Sequence, residues 1–320
     1  TFLGIPRCDL DQPDSFRDAD IVIMGAPIDS GTSHRSGAKF GPQAIRMGDY
    51  LPHDGERPHL ALRIDGLSKL KVVDAGDLLM PPGDLVSSLQ VLKAATEKVS
   101  RAGGIPIILG GDHSIASADV AGIANHRGKG KISMVHFDAH ADTGADQFGA
   151  LIGHGTPMRR LIENGHVRGD RFLQLGLRGY WPDDATLNWM RDQGMRSYEM
   201  TEIHHRGLKA VLDESFATLT DGCDGVFLSV DIDVVDPGMA PGTGTPEPGG
   251  MTSRELLEAV RRICLELPVV GVDIVEVAPP FDSADITAIL ANRVVLEALS
   301  AIALRKKGGS YSPTRNLLDR

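Results

Sequence analysis

Short apolar runs of strand length recur along the chain, and helical patterns lie between several of them. Most of these runs are apolar almost throughout, which is typical of parallel strands covered on both faces of a sheet. They lie at residues 19–27, 104–111, 131–139, 171–179, 225–233 and 269–277. Strands that alternate with helices predict an α/β fold of three layers (α/β/α), with a doubly wound and mainly parallel central sheet.

Three segments between or after these runs carry helical signals. The segment 85–103 ends in a glycine, and its apolar residues near helical spacing are Val86, Leu89, Leu92 and Val99. The segment 252–267 begins with Thr252 three positions before Glu255, which is a capping-box pattern. The segment 286–307 ends in basic residues, which suit a helix C-terminus.

Composition and charge exclude several classes of protein. No stretch approaches 18 consecutive apolar residues, so no membrane span is expected. The N-terminus lacks the basic and apolar regions of a signal peptide. Cys8, Cys223 and Cys264 lie far apart without a CxxC pair, which predicts a reducing compartment, the cytoplasm. The net charge of −10 argues against nucleic acid as the main partner and is compatible with a cationic small substrate.

Ionisable side chains gather where three of the predicted strands end. They are His113 after the run 104–111, Asp138, His140 and Asp142 around the end of the run 131–139, and Asp231 and Asp233 at the end of the run 225–233. Sites in open α/β sheets form beyond the carboxyl ends of the strands. Residues two apart on an extended chain share one side and lie about 6.6 Å apart. Carboxylates gathered in this way repel one another, so cations are expected among them, and two divalent metal ions about 3.5–4 Å apart satisfy both charge and spacing.

Each of these patterns has a common structural explanation when it stands alone. A strand-end aspartate forms a turn or caps a helix more often than it binds a metal, and Gly-Gly-Asp is typical of turns. Three separate strand ends that carry DH, DxHxD and DxD are difficult to explain in this way. Their combination therefore favours a metal site.

Five blocks of the sequence resemble the ureohydrolases, the arginase and agmatinase family. The blocks are GTSHRSGAKFGPQAIR (31–46), GGDHS (110–114), FDAHAD (137–142), SVDIDVVDPGMAPGTGTPEPGG (229–250) and DIVEVAPPFDSADITAILANR (273–293). The segment APGTGTPEPGG is similar to the agmatinase branch. The resemblance spans nearly the whole chain and implies a single ureohydrolase domain of arginase-like fold over residues 1–320, with residues 1–18 as an N-terminal extension.

The resemblance also implies an activity. Members of this branch hydrolyse a guanidino group to urea and an amine with two manganese ions. The mostly oxygen-rich ligand set suits Mn²⁺ better than copper or zinc, while Ni²⁺ stays open. The resemblance implies a homo-oligomer as well, either a trimer or a hexamer.

Carried over by position, the resemblance implies six metal ligands, namely His113, Asp138, His140, Asp142, Asp231 and Asp233. In this assignment His113 and Asp233 are terminal ligands of different ions, and Asp142 binds the ion that His113 holds. His140 is a further terminal ligand, while Asp138 and Asp231 are bridges. Asp142 is also placed in the catalytic machinery.

Two further residues are implied in catalysis rather than in metal binding. His154, in GHGTP, matches the proton-shuttling histidine of the family, and an imidazole exchanges protons near neutral pH. Glu276, in VEVAPP, matches the carboxylate that holds the guanidinium group, a planar cation that pairs well with a carboxylate.

The sequence favours agmatine, which would yield putrescine and urea in polyamine metabolism, but leaves the tail of the substrate open. The loop 143–153 offers Asp146 and no Lys or Arg, which favours an ammonium tail. Arg35 or Arg178 could instead reach the site and favour a carboxylate tail. The alternatives are 4-guanidinobutyrate, 3-guanidinopropionate and a proclavaminate-type substrate.

Two rival classes and several side chains complete the alternatives. A related-fold deacetylase generally holds one zinc ion with two Asp and one His, which the six-residue set argues against. A catalytically silent family member would be expected to have lost ligands. His136 is expected in the core or behind the ligands, His204 and His205 at the surface, and Trp181 either at a pocket mouth or in simple packing.

Overall fold

One sheet of eight parallel strands forms the centre of the computed structural model, which describes residues 1–49, 57–314 and 318. The strands are β1 (Ile21–Ala26), β2 (Val72–Asp77), β3 (Ile105–Gly110), β4 (Ile132–Phe137), β5 (Val167–Leu177), β6 (Arg196–Glu199), β7 (Gly225–Asp231) and β8 (Val269–Val275). Across the sheet they follow the order β2-β1-β3-β8-β7-β4-β5-β6. Every neighbouring pair is parallel, so all the strands end at the same edge.

Helices cover both faces of this sheet. In the described residues they are α1 (Gly41–Met47), α2 (Gly66–Lys69), α3 (Leu85–Arg101), α4 (Ala116–Arg127), α5 (Pro157–Glu163), α6 (Asp184–Asp192), α7 (Met200–Arg206), α8 (Leu208–Thr220), α9 (Ser253–Glu266) and α10 (Ile286–Lys306). Ile21 and Ile23 of β1 lie in the core with α8, α9 and α10, whereas Val22 and Met24 lie in the core with α3. The predicted three-layer, doubly wound fold is therefore confirmed.

The six predicted strands are present, and two more were missed. The missed strands, β2 and β6, lie at the two edges of the sheet. β6 has the sequence RSYE, in which only Tyr198 is buried, and β2 ends in polar residues. An edge strand needs less apolar surface than a central one, so it leaves a weaker pattern in the sequence.

The helical signals were correct with one exception. Thr252 and Glu255 form the predicted capping box, since the Glu255 N–H donates to the Thr252 hydroxyl at 3.1 Å and the Thr252 N–H donates to the Glu255 carboxylate at 2.8 Å. Leu89 and Leu92 of α3 are buried as expected, as is Val99. The expectation was wrong for Val86, which lies in the first turn of α3 and is 54% exposed.

The longest helix is a core element. By length and composition α10 could cross a membrane, but 78% of its most apolar 18-residue stretch is buried inside the protein. It packs against α9, α1 and α2 in the main hydrophobic core. Its apolar character is therefore explained by packing.

Residues 1–18 pack against the rest of the chain. Phe2 and Leu3 are buried in the same core as α9 and α10. The backbone of Arg7 forms a parallel β-bridge with Asp74 of β2, and the Cys8 N–H donates to the Asp74 carbonyl at 3.0 Å. This segment therefore covers the outer edge of β2, which would otherwise present unpaired backbone groups.

Candidate metal centre

The four central strands deliver the charged residues to one place. These strands, β3, β8, β7 and β4, are neighbours in the sheet. His113 follows β3 by three residues, Asp138 follows β4 directly, Asp231 ends β7 and Glu276 follows β8 directly. Because parallel strands end at the same edge, residues far apart in sequence meet above the centre of the sheet.

Asp142 and Glu276, two of the charged residues at this end of the sheet, have an unusual backbone conformation. Asp142 has φ 52° and Glu276 has φ 62°, in the left-handed region that residues other than glycine seldom adopt. Glu276 is held there because its N–H donates to the Gly111 carbonyl at 2.9 Å. Backbone strain of this kind is concentrated at functional sites, where the surrounding structure fixes the direction of a side chain.

Three carboxylates surround His113. Its Nδ1 lies 3.1 Å from Oδ2 of each of Asp138, Asp142 and Asp231. All four side chains are buried, yet Nδ1 has no hydrogen-bond partner among the described residues. One imidazole nitrogen cannot serve three carboxylates at once, so this geometry is better explained by a cation among them.

A second group lies beside the first. His140 Nδ1 is 3.1 Å from Oδ2 of Asp233 and 3.4 Å from Oδ1 of Asp138. Asp138 thus turns one oxygen towards His113 and the other towards His140. The structure therefore brings together all six residues that the sequence named as ligands, in two overlapping groups that share Asp138.

The charges of this cluster do not balance without cations. Burial raises the pKa of Asp231 well above its usual range, and the neighbouring carboxylates of Asp233 and Asp138 raise it further. Burial alone would lower the pKa of His140, but the same two carboxylates outweigh it and raise that pKa to about 12. Four carboxylates thus face two imidazoles in a space with little water, which is a set of groups that divalent cations would stabilise.

The residues also fit hard divalent ions by their chemistry. Distances of 3.1 Å between ligand atoms are close to the edge, about 3.0 Å, of an octahedron with bonds of about 2.1 Å. The donors are carboxylate oxygens and imidazole nitrogens, and none of the three cysteines belongs to the cluster. Such a set suits manganese-like ions better than the thiolate-rich sites of copper and many zinc proteins.

His154 and Glu276 form a pair next to this cluster. His154 Nδ1 lies 2.9 Å from Glu276 Oε1, and the Ser33 N–H donates to His154 Nε2 at 3.0 Å. Because Nε2 accepts from Ser33, the proton of neutral His154 lies on Nδ1 and is donated to Glu276. Burial would lower the pKa of His154, but the Glu276 carboxylate outweighs it and raises that pKa to about 9.

Glu276 keeps one oxygen for a ligand. Oε1 also accepts from the His113 N–H at 2.8 Å, whereas Oε2 is buried without a hydrogen-bond partner among the described residues. A β-carbon placed on Gly244 would lie 3.6 Å from Oε2. Burial raises the pKa of Glu276, but His154 outweighs it and the pKa lies below its usual value. Oε2 is therefore an anionic acceptor whose hydrogen-bonding capacity is not used by the described residues.

A cavity of about 400 Å³ opens over the cluster. Its lining comprises Ser33, His140, Asp142, Asp146, Gln147, Phe148, His154, Gly155, Trp181, Asp231 and Thr245. Trp181 thus lies at a pocket rather than in simple packing, and Asp146 lies where the sequence placed it. His113, Asp138, Asp233 and Glu276 lie behind this lining, buried.

The two arginines that could read a carboxylate tail are engaged elsewhere. Arg35 donates to the carbonyls of Thr243 at 2.7 Å and Gly244 at 3.2 Å. Arg178 donates to the carbonyls of Asp233 and Glu247, each at 2.7 Å. Neither side chain is part of the cavity lining, and both fasten the 233–248 segment instead.

The sequence did not identify several residues of the site. Ser33, Gln147, Phe148 and Thr245 line the cavity but were not named. Ser33 and Thr245 lie inside blocks that carry the family resemblance, yet a serine or a threonine there has no chemical signal of its own. His204 and His205 are exposed, as expected.

Fold and site together define an α/β protein with a candidate metal centre, and comparisons with known proteins identify its family. Residues 19–301 match the sequence profile of the arginase family. The chain is 36% identical to guanidinobutyrase of Pseudomonas aeruginosa over 94% of its own length and 92% of that protein. It is 38% identical to agmatinase of Cronobacter sakazakii, over 90% of this chain and 89% of the other.

Solved structures of related proteins have the same fold as this chain. Proclavaminate amidino hydrolase from Streptomyces clavuligerus superimposes with a TM-score of 0.85 at 35% identity, over 95% of this chain and 97% of the other. Formiminoglutamase from Trypanosoma cruzi, a structure with Mn²⁺, gives a TM-score of 0.81 at 25% identity, over 90% of this chain and 95% of the other. The chain belongs to the arginase family, and it is a hydrolase of amidine carbon–nitrogen bonds in guanidino compounds.

Proposed function

We propose that this enzyme hydrolyses agmatine to putrescine and urea, with two Mn²⁺ ions in the centre formed by His113, Asp138, His140, Asp142, Asp231 and Asp233. The observation that carries the choice of substrate is the cavity lining outside the proposed ligands, where the one carboxylate is that of Asp146 and where, among the described residues, no Lys or Arg occurs. A carboxylate in the outer part of the cavity favours a substrate whose tail ends in an ammonium group.

The residues of the chain have distinct tasks in this reaction. Two divalent ions held by the six proposed ligands would lower the pKa of water and so make a hydroxide nucleophile available near neutral pH. Glu276 holds the guanidinium through Oε2, while its Oε1 remains fixed by the His113 N–H and by His154. This places the planar cation against a carboxylate whose direction is already set, so little order has to be created on binding.

His154 transfers the proton that the departing amine needs. In its neutral form it accepts from Ser33 at Nε2, and in its charged form it can donate from Nε2 to the Ser33 hydroxyl at 2.7 Å or to the departing amine. A leaving amine must be protonated to depart, and an imidazole that exchanges protons near the working pH suits that step. Its place in the cavity lining gives it access to the substrate.

Asp146, Phe148 and Trp181 form the outer part of the cavity. The Asp146 carboxylate is exposed and accepts from the Gly149 N–H at 2.8 Å through Oδ1. Aromatic faces attract alkylammonium groups as well. These three side chains favour an ammonium tail and disfavour a carboxylate one.

The choice of Mn²⁺ rests on the oxygen-rich donor set and on the T. cruzi relative with Mn²⁺. Ni²⁺ stays an alternative. The homo-oligomeric state and the cytoplasmic location stay predictions from sequence. A guanidino-acid hydrolase is the second candidate, because the relative from P. aeruginosa is named guanidinobutyrase.

The proposal is tested with a pair of substrates that differ only in the tail. Agmatine and 4-guanidinobutyrate have the same chain length and end in an ammonium and a carboxylate group. For an exposed carboxylate, attraction or repulsion is worth up to about 1 kcal/mol each, which gives agmatine an advantage of about 10- to 30-fold in kcat/KM. Urea release from both compounds, and from arginine and 3-guanidinopropionate, measures it.

The variant Asp146→Asn should reduce that advantage by about the same factor. Asp192→Asn is the matched control, because Asp192 is an exposed aspartate of α6 outside the cavity lining. A higher kcat/KM on 4-guanidinobutyrate than on agmatine would overturn the agmatine assignment. It would leave the hydrolase chemistry in place and favour the second candidate.

A further inference from the structure

A histidine that the mechanism does not use lies directly behind the metal centre. His136 of β4 is fully buried, and its Nε2 lies 2.8 Å from Oδ2 of Asp138. A ring nitrogen of His136 lies within 4.8 Å of ligand atoms of His113, Asp138 and Asp142, so His136 could itself be a metal ligand. The location of the imidazole proton decides between the two roles, because a nitrogen that carries a proton cannot bind a metal.

Gln174 of β5 determines which ring nitrogen of His136 carries the proton. Its Nε2 donates to the Ala141 carbonyl at 2.7 Å, and a carbonyl oxygen can only accept, so the group facing Ala141 must be the amide nitrogen. The same nitrogen lies 3.1 Å from His136 Nδ1. An NH₂ group has no acceptor to offer, so Nδ1 must be the unprotonated nitrogen. The proton of the neutral ring therefore lies on Nε2, facing Asp138.

The orientation of Gln174 is itself fixed from the other side. The hydroxyl of Ser197, on β6, donates to Gln174 Oε1 at 2.8 Å. Register explains the alignment, since His136 pairs with Gln174 and Gln174 pairs with Ser197 across three neighbouring strands. A row of hydrogen bonds thus runs from the edge of the sheet to the metal centre.

We infer that His136 is a positioning residue, which donates from Nε2 to Asp138 Oδ2 and so fixes the carboxylate that faces both His113 and His140, and that it is not a metal ligand. The inference rests on the proposed metal centre. Its physical basis is that a carboxylate shared by two groups has to be held in one rotation, and a buried donor at 2.8 Å restricts that rotation. A polar row inside an otherwise apolar strand layer is also costly unless its groups are paired, as they are here.

The first test needs no substitution. Nitrogen-15 NMR of histidine-labelled protein, loaded with Zn²⁺ as a diamagnetic ion, should show the His136 ring with its proton on Nε2 and an unprotonated Nδ1. A ring that carries its proton on Nδ1, with Nε2 shifted by the metal, would overturn the inference and make His136 a ligand.

The second test uses a matched pair of variants. His136→Gln keeps an N–H near the position of Nε2, whereas His136→Phe keeps a flat buried ring without a donor. Loss of such a supporting hydrogen bond typically weakens metal binding by about 10- to 100-fold. We expect that loss of Mn²⁺ affinity, measured by competition with a chelator, in the Phe variant and a recovery of most of it in the Gln variant.

Other outcomes are distinguishable. His166→Phe is the control for removal of a buried histidine, because His166 directly precedes β5 and so lies at the N-terminal ends of the strands, whereas the metal centre lies at their carboxyl ends. Equal Mn²⁺ affinity of wild type and His136→Phe would overturn the inference. A wild-type protein that binds no Mn²⁺ would instead contradict the proposed centre, and if the Phe variant does not fold, the NMR result on the wild type decides.

Discussion

Replacement of Glu276 tests the catalytic arrangement most directly. Oε1 accepts from the His113 N–H at 2.8 Å and lies 2.9 Å from His154 Nδ1, while Oε2 has no partner among the described residues. In Glu276→Gln, the amide oxygen can accept both bonds, but an NH₂ group then replaces Oε2. The variant therefore turns donors towards the guanidinium and removes the negative charge with little change in shape.

The expected loss follows from burial. Removing one charge of a buried, hydrogen-bonded ion pair costs about 2–5 kcal/mol. At about 1.4 kcal/mol for each factor of ten, kcat/KM should fall by about 30- to 5,000-fold. Metal content should stay unchanged, because Glu276 belongs to neither group of clustered ligands.

The loss should also depend on pH. Burial lowers the pKa of His154, but the Glu276 carboxylate outweighs it and raises that pKa from 6.5 to about 9. Without the carboxylate the pKa falls, so the variant loses its imidazolium at a lower pH than the wild type. If the protonated form of His154 assists departure of the amine, the ratio of wild-type to variant kcat/KM grows as pH rises from 6.5 towards 9.

Urea release over a range of pH, with elemental analysis of the same samples, measures both effects. Glu247→Gln is the matched control, because it removes one negative charge near the site from a residue whose backbone carbonyl, not its carboxylate, binds Arg178. A Glu276→Gln enzyme with both ions and the kcat/KM of the wild type would refute the role of Oε2. A constant ratio across pH would refute the coupling to His154.

Two further predictions concern the ions and acid stability. Asp231→Ala should lose metal, because Asp231 lies against both His113 and the other carboxylates. His154→Ala should instead keep both ions and lower kcat by about 10²–10⁴-fold. Elemental analysis and urea release distinguish the two effects, and full activity of His154→Ala would contradict the proton shuttle. Burial, with Lys129 and Lys93, lowers the pKa of His166 from 6.5 to about 4, so the unfolded chain binds a proton that the folded one does not. Stability from this group is complete above pH 6.5 and declines as pH falls towards 4, by about 3 kcal/mol. In urea unfolding of metal-free protein, His166→Gln should lose less stability than the wild type over that range, and equal losses would contradict the assignment.

The sequence predicts the centre of the fold better than its edges. The central strands are buried on both faces, so β3, β4, β7 and β8 appear as continuous apolar runs. At the edges, β2 and β6 are partly exposed and mix polar with apolar residues. Their position depends on pairing with a neighbour, and pairing is a tertiary property that local pattern does not record.

The clustering of the proposed ligands was predictable for a related reason. Carboxylates and imidazoles at the ends of buried strands are unusual enough to indicate a site, whatever the details of the loops. His136 was expected in the core or behind the ligands, whereas Ser33 was not predictable, because it meets His154 only through the path of two long loops. Gln174 did leave a signal, a polar residue inside the apolar run FLQLGL, but nothing in the sequence shows that its partner is His136.

The division of the site between strands and loops has a consequence for specificity. The proposed metal ligands and Glu276 follow four central strands, whose positions are fixed by the packing around the sheet. Asp146 and Phe148 lie on a loop, and Trp181 lies on another, so the outer cavity can change without disturbing the chemistry. Relatives at 36% and 38% identity are named guanidinobutyrase in one case and agmatinase in the other. Overall identity therefore carries little information on the substrate, and the charges of these two loops are the feature to compare.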